Sequence, residues 1–277
     1  MPYGTLYLCA TPIGNLQDIT LRVLETLKMV DLIACEDTRK TLQLLNHFSI
    51  SKPVTSYYEH NKMTKGDVII QLLKDGKNIA LVSDAGMPGI SDPGYDLVQQ
   101  CLAEDIPFTV LPGAVAAVTG LVLSGMPTQR FAFEGFIPRQ KKERQQFLQN
   151  LLTEERTMIF YESPHRLEDT LKALAEIFPE RQMAAARELT KKFEEIVRGT
   201  PVEVLNHFTT EGIRGEFVLL LHGAEPALPE EKDLDWAVHR VTQLEQNDIS
   251  QKDAIKQAAK EANLSKRDVY NFIVQNK

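Results

Sequence analysis

Short apolar runs recur along the first half of the chain, and each ends in a polar loop carrying Gly, Pro or charge. Residues 5–10 close on Thr11, Pro12, Ile13, Gly14 and Asn15, and residues 31–35 on Glu36, Asp37, Thr38 and Arg39. Residues 54–58 close on Glu59, His60 and Asn61, residues 78–82 on Ser83 and Asp84, and residues 108–111 on Pro112 and Gly113. Runs of this length bounded by turn formers read as buried strands. Between them, residues 19–29 place Leu21, Leu24 and Leu27 at helical spacing, and residues 40–48, 68–73 and the small-residue stretch 114–123 also read as helices. Strand and helix in alternation predict a mostly parallel sheet with helices on both faces. Residues 1–123 form a first α/β domain on this reading, with Ser124 to Thr128 as the linker.

The second half follows a different rhythm. Strands are predicted over residues 131–136, 157–161, 183–186, 194–198 and 216–221, the last a central one. Helices run to about Leu152 after the basic run that starts at Pro138, and over 167–178 and 202–208. The short connections imply more antiparallel pairing, in a second α/β domain over 124–223. An acidic, proline-containing linker, 224–232, leads into helices over 234–244, 251–262 and 266–274. Ser250 with Asp253, and Ser265 with Asp268, have capping-box spacing, and Asn263 is a suitable helix stop. The last two helices resemble a helix-turn-helix, with Lys266 and Arg267 opening the final helix toward a phosphate. The plain alternative is a helical hairpin packed on the body or on a partner subunit.

The loop from Ser83 to Gly94 carries the most chemistry. The strand before it stops abruptly, and Gly86 and Gly89 let the main chain approach a ligand with no Cβ in the way. Asp92 reads as the N-cap of the next helix, with Pro93 in its first turn. Ligands in open α/β sheets bind at the carboxyl ends of strands. The loop is neither a Walker loop nor a GxGxxG fingerprint, and a simple tight turn is the alternative.

Charge and composition narrow the choice. A formal charge of −7 excludes nucleic-acid binding by bulk charge, so any such contact needs a local basic patch. Arg139, Lys141, Lys142 and Arg144 supply one. Cys9, Cys35 and Cys101 stand in apolar surroundings without CxxC or zinc spacing, and read as buried reduced thiols with no metal site. No secretory leader or membrane-length apolar segment is visible, which implies a soluble cytoplasmic protein.

Seven motifs then line up in order: Thr11 to Asn15, Glu36 to Arg39, Ser83 to Gly94, Pro112-Gly113, Phe133 to Pro138, Phe160 to Arg166 and Ala186 to Lys191. Together they resemble the ribosomal RNA small-subunit methyltransferase I family of the tetrapyrrole-methylase-like superfamily, strongly over residues 5–223. The resemblance implies a two-domain α/β tetrapyrrole-methylase-like fold with a cofactor cleft between the domains, plus a small C-terminal helical appendage. It also implies S-adenosylmethionine as methyl donor and the ribose 2′-hydroxyl of a cytidine in the decoding region of 16S ribosomal RNA as acceptor. Small-subunit RNA is the implied partner, with the assembled 30S subunit as the expected form and naked RNA the alternative. A homodimer and no membrane contact are expected as well.

Carried over by position, Pro12 and Gly14 from the first loop and Asp84, Ala85, Gly86, Met87 and Ile90 from the central loop would line the cofactor. Val115, Ala116, Tyr161 and Glu162 would complete its site. Met87 and Gly89 depart from the family pattern. A ribose hydroxyl is a poor nucleophile at neutral pH and needs a proton acceptor or a cation beside the developing alkoxide. Glu188 or Glu162 is the candidate base, with Arg187 or Lys191 as cationic partner. Arg39, Arg166 and Lys192 join the basic run as candidate RNA contacts. A methyltransferase acting on a corrin or porphyrin precursor, and a non-catalytic nucleic-acid-binding regulator, are the competing functions.

Overall fold

The computed structural model describes residues 2–58, 62–225, 232–247 and 249–275. The predicted polar loop 59–61 and the linker segment 226–231 lie outside the described residues. The five apolar runs of the first half are β1 (Leu6–Cys9), β2 (Leu32–Cys35), β3 (Val54–Ser56), β4 (Ile79–Val82) and β5 (Phe108–Leu111). They pair in parallel in the order β3-β2-β4-β1-β5. Helices α1 (Leu21–Met29) and α2 (Thr38–His47) cover one face, where Val23, Leu27 and Leu45 meet Cys9, Ile33 and Val82. Helices α3 (Lys62–Lys74) and α4 (Tyr95–Ala103) cover the other, where Ile69, Leu73 and Leu97 meet Leu6, Ile79 and Leu81. Covered on both faces, the central strand β4 is buried at every position. The chain leaves the neighbouring strands β1 and β4 toward opposite faces. That divergence opens a crevice at their carboxyl ends.

The start of α4 differs from the reading that makes Asp92 its cap. Gly94 is the cap, at φ +153 and ψ −32, a conformation that excludes a side chain, and the helix begins at Tyr95. Asp92 stays in the loop. The three cysteines are free and buried. Burial pushes the Cys9 thiol up to about 12 and the Cys101 thiol to about 11.

The second half builds α5 (Ala116–Ser124), β6 (Phe131–Phe136), α6 (Lys141–Asn150), β7 (Thr157–Glu162) and α7 (Pro164–Ile177). It continues with β8 (Met183–Arg187), β9 (Glu195–Gly199), α8 (Pro201–Glu211) and β10 (Phe217–Leu221). The sheet order is β6-β7-β10-β8-β9, with β6 and β7 parallel and the remaining pairs antiparallel. Period-two alternation sorts its side chains. Phe160, Ala185 and Leu219 pack against α6, α7 and α8, while Ile159, Ala184, Val218 and Leu220 pack against α5. Helix α5 falls in the first half by sequence but covers the second sheet. A Cβ on its Gly120 would lie 3.1 Å from Val218 Cγ1. Arg198 of β9 donates to the carbonyls of Leu123 and Ser124, and Gly125 at φ +76 ends the helix. The contacts that fix α5 were invisible to a reading in chain order.

Residues 225–277 form a separate compact unit. Its helices are α9 (Leu234–Glu245), α10 (Gln251–Glu261) and α11 (Lys266–Gln275), packed around Ala237, Val241, Ala254, Ala258 and Val269. The Ser250 hydroxyl accepts the Asp253 N–H at 3.3 Å and donates to its carboxylate at 2.7 Å. Asn263, at φ +54, closes α10.

Candidate active site

The strand-end loops of both sheets enclose a cavity of about 340 Å³. The loops after β1 and β4 are joined backbone to backbone. The Thr11 N–H donates to the Gly86 carbonyl at 2.8 Å, and the Gly86 N–H donates to the Thr11 carbonyl at 3.0 Å. Two hydroxyls lock the junction: Thr11 Oγ1 donates to the Ser83 carbonyl at 3.1 Å, and Ser83 Oγ to the Gly86 carbonyl at 3.1 Å. Gly86 sits at φ +83, and a Cβ there would also lie 3.3 Å from Ile13 Cγ2. Glycine is therefore required by conformation, with space a secondary constraint.

Acids collect on this wall. Asp84 accepts the Asp37 N–H at 3.0 Å and pairs with Lys40 at 2.8 Å. Glu36 and Asp92 also line the cavity. Burial, reinforced by the charge of Glu36, pushes the Asp92 carboxyl up to about 6. Burial and then Asp84 push Glu36 up, against the pull of Lys40.

The opposite wall comes from the second sheet. The Tyr161 hydroxyl accepts the Ala117 N–H at 3.2 Å, and its ring meets those of Phe133 and Phe136 edge-on, with centroids 5.0 and 5.8 Å away. Burial raises the Tyr161 pKa. Past β8 the chain turns sharply, with Glu188 at φ +53 and Thr190 at φ +66. A β-branched residue at positive φ is strained, and such strain gathers at functional sites. Lys191 pairs with Glu188 at 2.9 Å, and that hydrogen bond holds the Glu188 carboxyl below its ordinary value.

The central-loop residues Asp84, Ala85, Gly86, Met87 and Ile90 line the cavity, as do Val115, Ala116, Tyr161 and Glu162. Pro12 and Gly14 do not; Ile13, between them, does. Gly14 packs under Lys191, where a Cβ would come within 2.5 Å of that side chain.

The expected catalytic group divides. Glu188 and Lys191 line the cavity as an ion pair. Glu162 lines it too, but as a base it is corrected: its fully buried carboxylate already accepts the Ser163 N–H at 2.8 Å and the Thr170 hydroxyl at 2.7 Å, with Arg166 Nε at 3.5 Å. Arg187 is absent from the cavity. It lies on the α8 face of β8, bonded to Glu195 at 2.5 Å and to the Gly212 carbonyl at 3.0 Å, over the Phe208 ring.

Two expected RNA contacts are corrected as well. Arg166 is drawn inward to Glu162 and the Ile137 carbonyl. Arg144 is buried under α7 and reaches the Arg139 carbonyl at 3.4 Å and Asp169 at 3.8 Å. Arg39, Arg139, Lys141, Lys142 and Lys192 are exposed on the first unit, and Lys266 and Arg267 on the second. Arg39 is forked onto Asp37 at 2.7 Å, and Lys192 lies 5.6 Å from the Phe193 ring centroid. Sequence reasoning missed Glu36, Lys40, Ser91, Asp92, Phe136 and Leu189 as cavity residues. All stand in or beside the strand-end motifs, which was the available signal.

Residues 5–204 match the family of Tetrapyrrole (Corrin/Porphyrin) Methylases. The "Ribosomal RNA small subunit methyltransferase I" of Halalkalibacterium halodurans is 50% identical over 277 residues, covering 98% of this chain and 95% of its own. The chain belongs to the ribosomal RNA small subunit methyltransferase I family. Within this family, the Thermotoga maritima relative is 47% identical over 222 residues, its entire length but 80% of this chain. A fifth of this chain thus has no counterpart there. A solved uroporphyrin-III C-methyltransferase from Thermus thermophilus, complexed with S-adenosylhomocysteine, shares the fold at 17% identity. Its TM-score is 0.56, over 79% of this chain and 97% of that one.

Proposed function

We propose that the protein methylates small-subunit ribosomal RNA, using S-adenosylmethionine, at the ribose 2′-hydroxyl of a decoding-region cytidine in the assembled 30S subunit. The observation that carries the reading is the cavity built on the joined first and central loops, in a chain half identical to a ribosomal RNA methyltransferase. When bound, S-adenosylmethionine supplies an electrophilic methyl group on a positively charged sulfur.

The residues present fit that cofactor. A volume of about 340 Å³ lies within the range of small-molecule sites, about 300–1,000 Å³. Asp84 offers negative charge to a cationic ligand, and Ile13, Val115 and Leu189 offer apolar wall. Helix α5 starts at this wall without a side-chain cap; Tyr161 takes its Ala117 N–H, and the Ala116 N–H beside it suits a carboxylate. Lys191, braced by Glu188, is placed to stabilise charge developing on an attacking oxygen. Most of the rate gain comes from positioning, since the loops are fixed to each other before any ligand arrives.

Exposed Arg39, Arg139 and Lys192 stand close along the chain to the lining residues Lys40, Phe136 and Lys191, and with Lys141 and Lys142 they supply phosphate contacts that the net charge of −7 does not. The protein acts in the cytoplasm as a homodimer; exposed Val118 and Val122 on the outer side of α5 support a self-association surface.

The test is methyl transfer from labelled S-adenosylmethionine to 30S subunits, naked small-subunit RNA and a uroporphyrinogen, each offered alone. Label on 30S RNA is the expected result. Label on the tetrapyrrole alone would reverse the assignment.

A further inference from the structure

Methylation of a ribose hydroxyl releases a proton, and its acceptor must reach the cavity with a lone pair free. Among the described residues, six carboxylates line the cavity: Glu36, Asp84, Asp92, Glu162, Glu188 and Glu216. Most are engaged. Glu162 is held by Ser163, Thr170 and Arg166, Asp84 by Asp37 and Lys40, and Glu188 by Lys191. Glu216 pairs with Lys191 at 3.7 Å. Glu36 has Lys40 beside it. Asp92 has no cationic partner among the described residues, and the Ser83 hydroxyl beside it, with a single hydrogen, leaves it lone pairs free. It stands next to Ser91, held at φ +59, in the same loop as the Gly86 junction.

We propose that Asp92 is the proton acceptor of the methyl transfer, taking the proton of the attacking ribose hydroxyl. This deepens the reading above and rests on it. The hydroxyl oxygen forms its bond to the methyl carbon while the methyl–sulfur bond breaks and its electron pair stays on sulfur. The hydroxyl proton passes to the Asp92 carboxylate and from there to water.

The surroundings suit that role. The groups that face Asp92 are Glu36 from the end of β2, Ser83 and Asp84 from the start of its own loop, and Tyr161 from β7. Lys40 and Lys191 are tied to Asp84 and Glu188. Burial, with Glu36 adding to it and the Ser83 hydroxyl opposing, brings the carboxyl to about 6. It is therefore ionised at neutral pH yet basic enough to accept a proton, which is the range in which a general base works best.

Asp92→Asn keeps the shape and removes the base. Three measurements decide: NMR titration of the Asp92 carboxyl in the ligand-free protein, calorimetric binding of S-adenosylhomocysteine, and single-turnover methylation of 30S subunits across pH. The expected titration midpoint is about 6, moving lower in Glu36→Gln as the neighbouring negative charge is removed. Asp92→Asn should bind S-adenosylhomocysteine within a few-fold of wild type and transfer methyl about 100-fold more slowly or worse. The acid limb of the wild-type rate profile should vanish with it. An unchanged rate overturns the proposal, as does a titration in the ordinary aspartate range. Loss of S-adenosylhomocysteine binding in step with the rate also overturns it, because Asp92 would then be a cofactor contact. A wild-type protein that transfers nothing to 30S subunits would instead sink the functional reading itself.

Discussion

Arg166→Met separates a bracing arginine from a phosphate contact. Arg166 is mostly buried, its Nε 3.5 Å from Glu162, whose carboxylate is wholly shielded from solvent. Methionine keeps much of the stem packing and removes the charge. Breaking a buried pair from one side costs about 3–5 kcal/mol, because an uncompensated charge stays behind. The pair is long, and Glu162 keeps its bonds from Ser163 and Thr170, so the low end, about 3 kcal/mol, applies here. At about 2–4 °C per kcal/mol for a unit of this size, Tm should fall by about 6–12 °C. Circular dichroism melts at neutral pH measure it, alongside the salt dependence of RNA binding. An unchanged Tm, with a salt slope shallower by about 0.9, would instead place Arg166 on the RNA surface.

Gly86→Val should abolish S-adenosylhomocysteine binding in calorimetry, since valine resists φ +83 and would crowd Ile13. Replacing Arg139, Lys141 and Lys142 together with Ala should weaken 30S binding and flatten its salt dependence without changing cofactor affinity; buried Arg144 belongs to a different experiment. Asp92 also sets a pH dependence of stability. Its folded pKa, about 6, lies above the ordinary 3.8, so the stability linked to it is full at low pH and is lost as pH rises between those values. Melts of Asp92→Asn should therefore exceed wild type at neutral pH and converge with it in acid. Reversing Lys266 and Arg267 to Glu should reduce methylation of 30S subunits at moderate salt and leave Tm unchanged, both side chains being exposed in the first turn of α11.

Strand positions and the cavity-forming loops were legible because both depend on local pattern. An apolar run that stops at Ser83 or Glu36 marks a strand end wherever the chain goes next. Side-chain direction was harder. Arg187 follows Ala186 on β8, and strand alternation alone puts it on the face of Met183 and Ala185, away from α5. Arg144 and Leu148 are one helical turn apart and share a buried face, a spacing that outweighs the basic composition around them. Other features had no local signal. The environment of Asp92 depends on Glu36, from a distant strand, and the placement of α5 on the second sheet depends on Val218 and Arg198. The largely apolar sequence of α5 fits either sheet.

The proposed acceptor, a ribose 2′-hydroxyl, is read out by mapping the modified nucleoside. Small-subunit RNA from cells with and without the protein would be digested and its nucleosides and fragments identified by mass spectrometry. A 2′-O-methylcytidine in the decoding region, present only with the protein and lost in Gly86→Val, is the predicted result. A methyl group on a base or on another RNA, or identical RNA from both cells, would contradict the account.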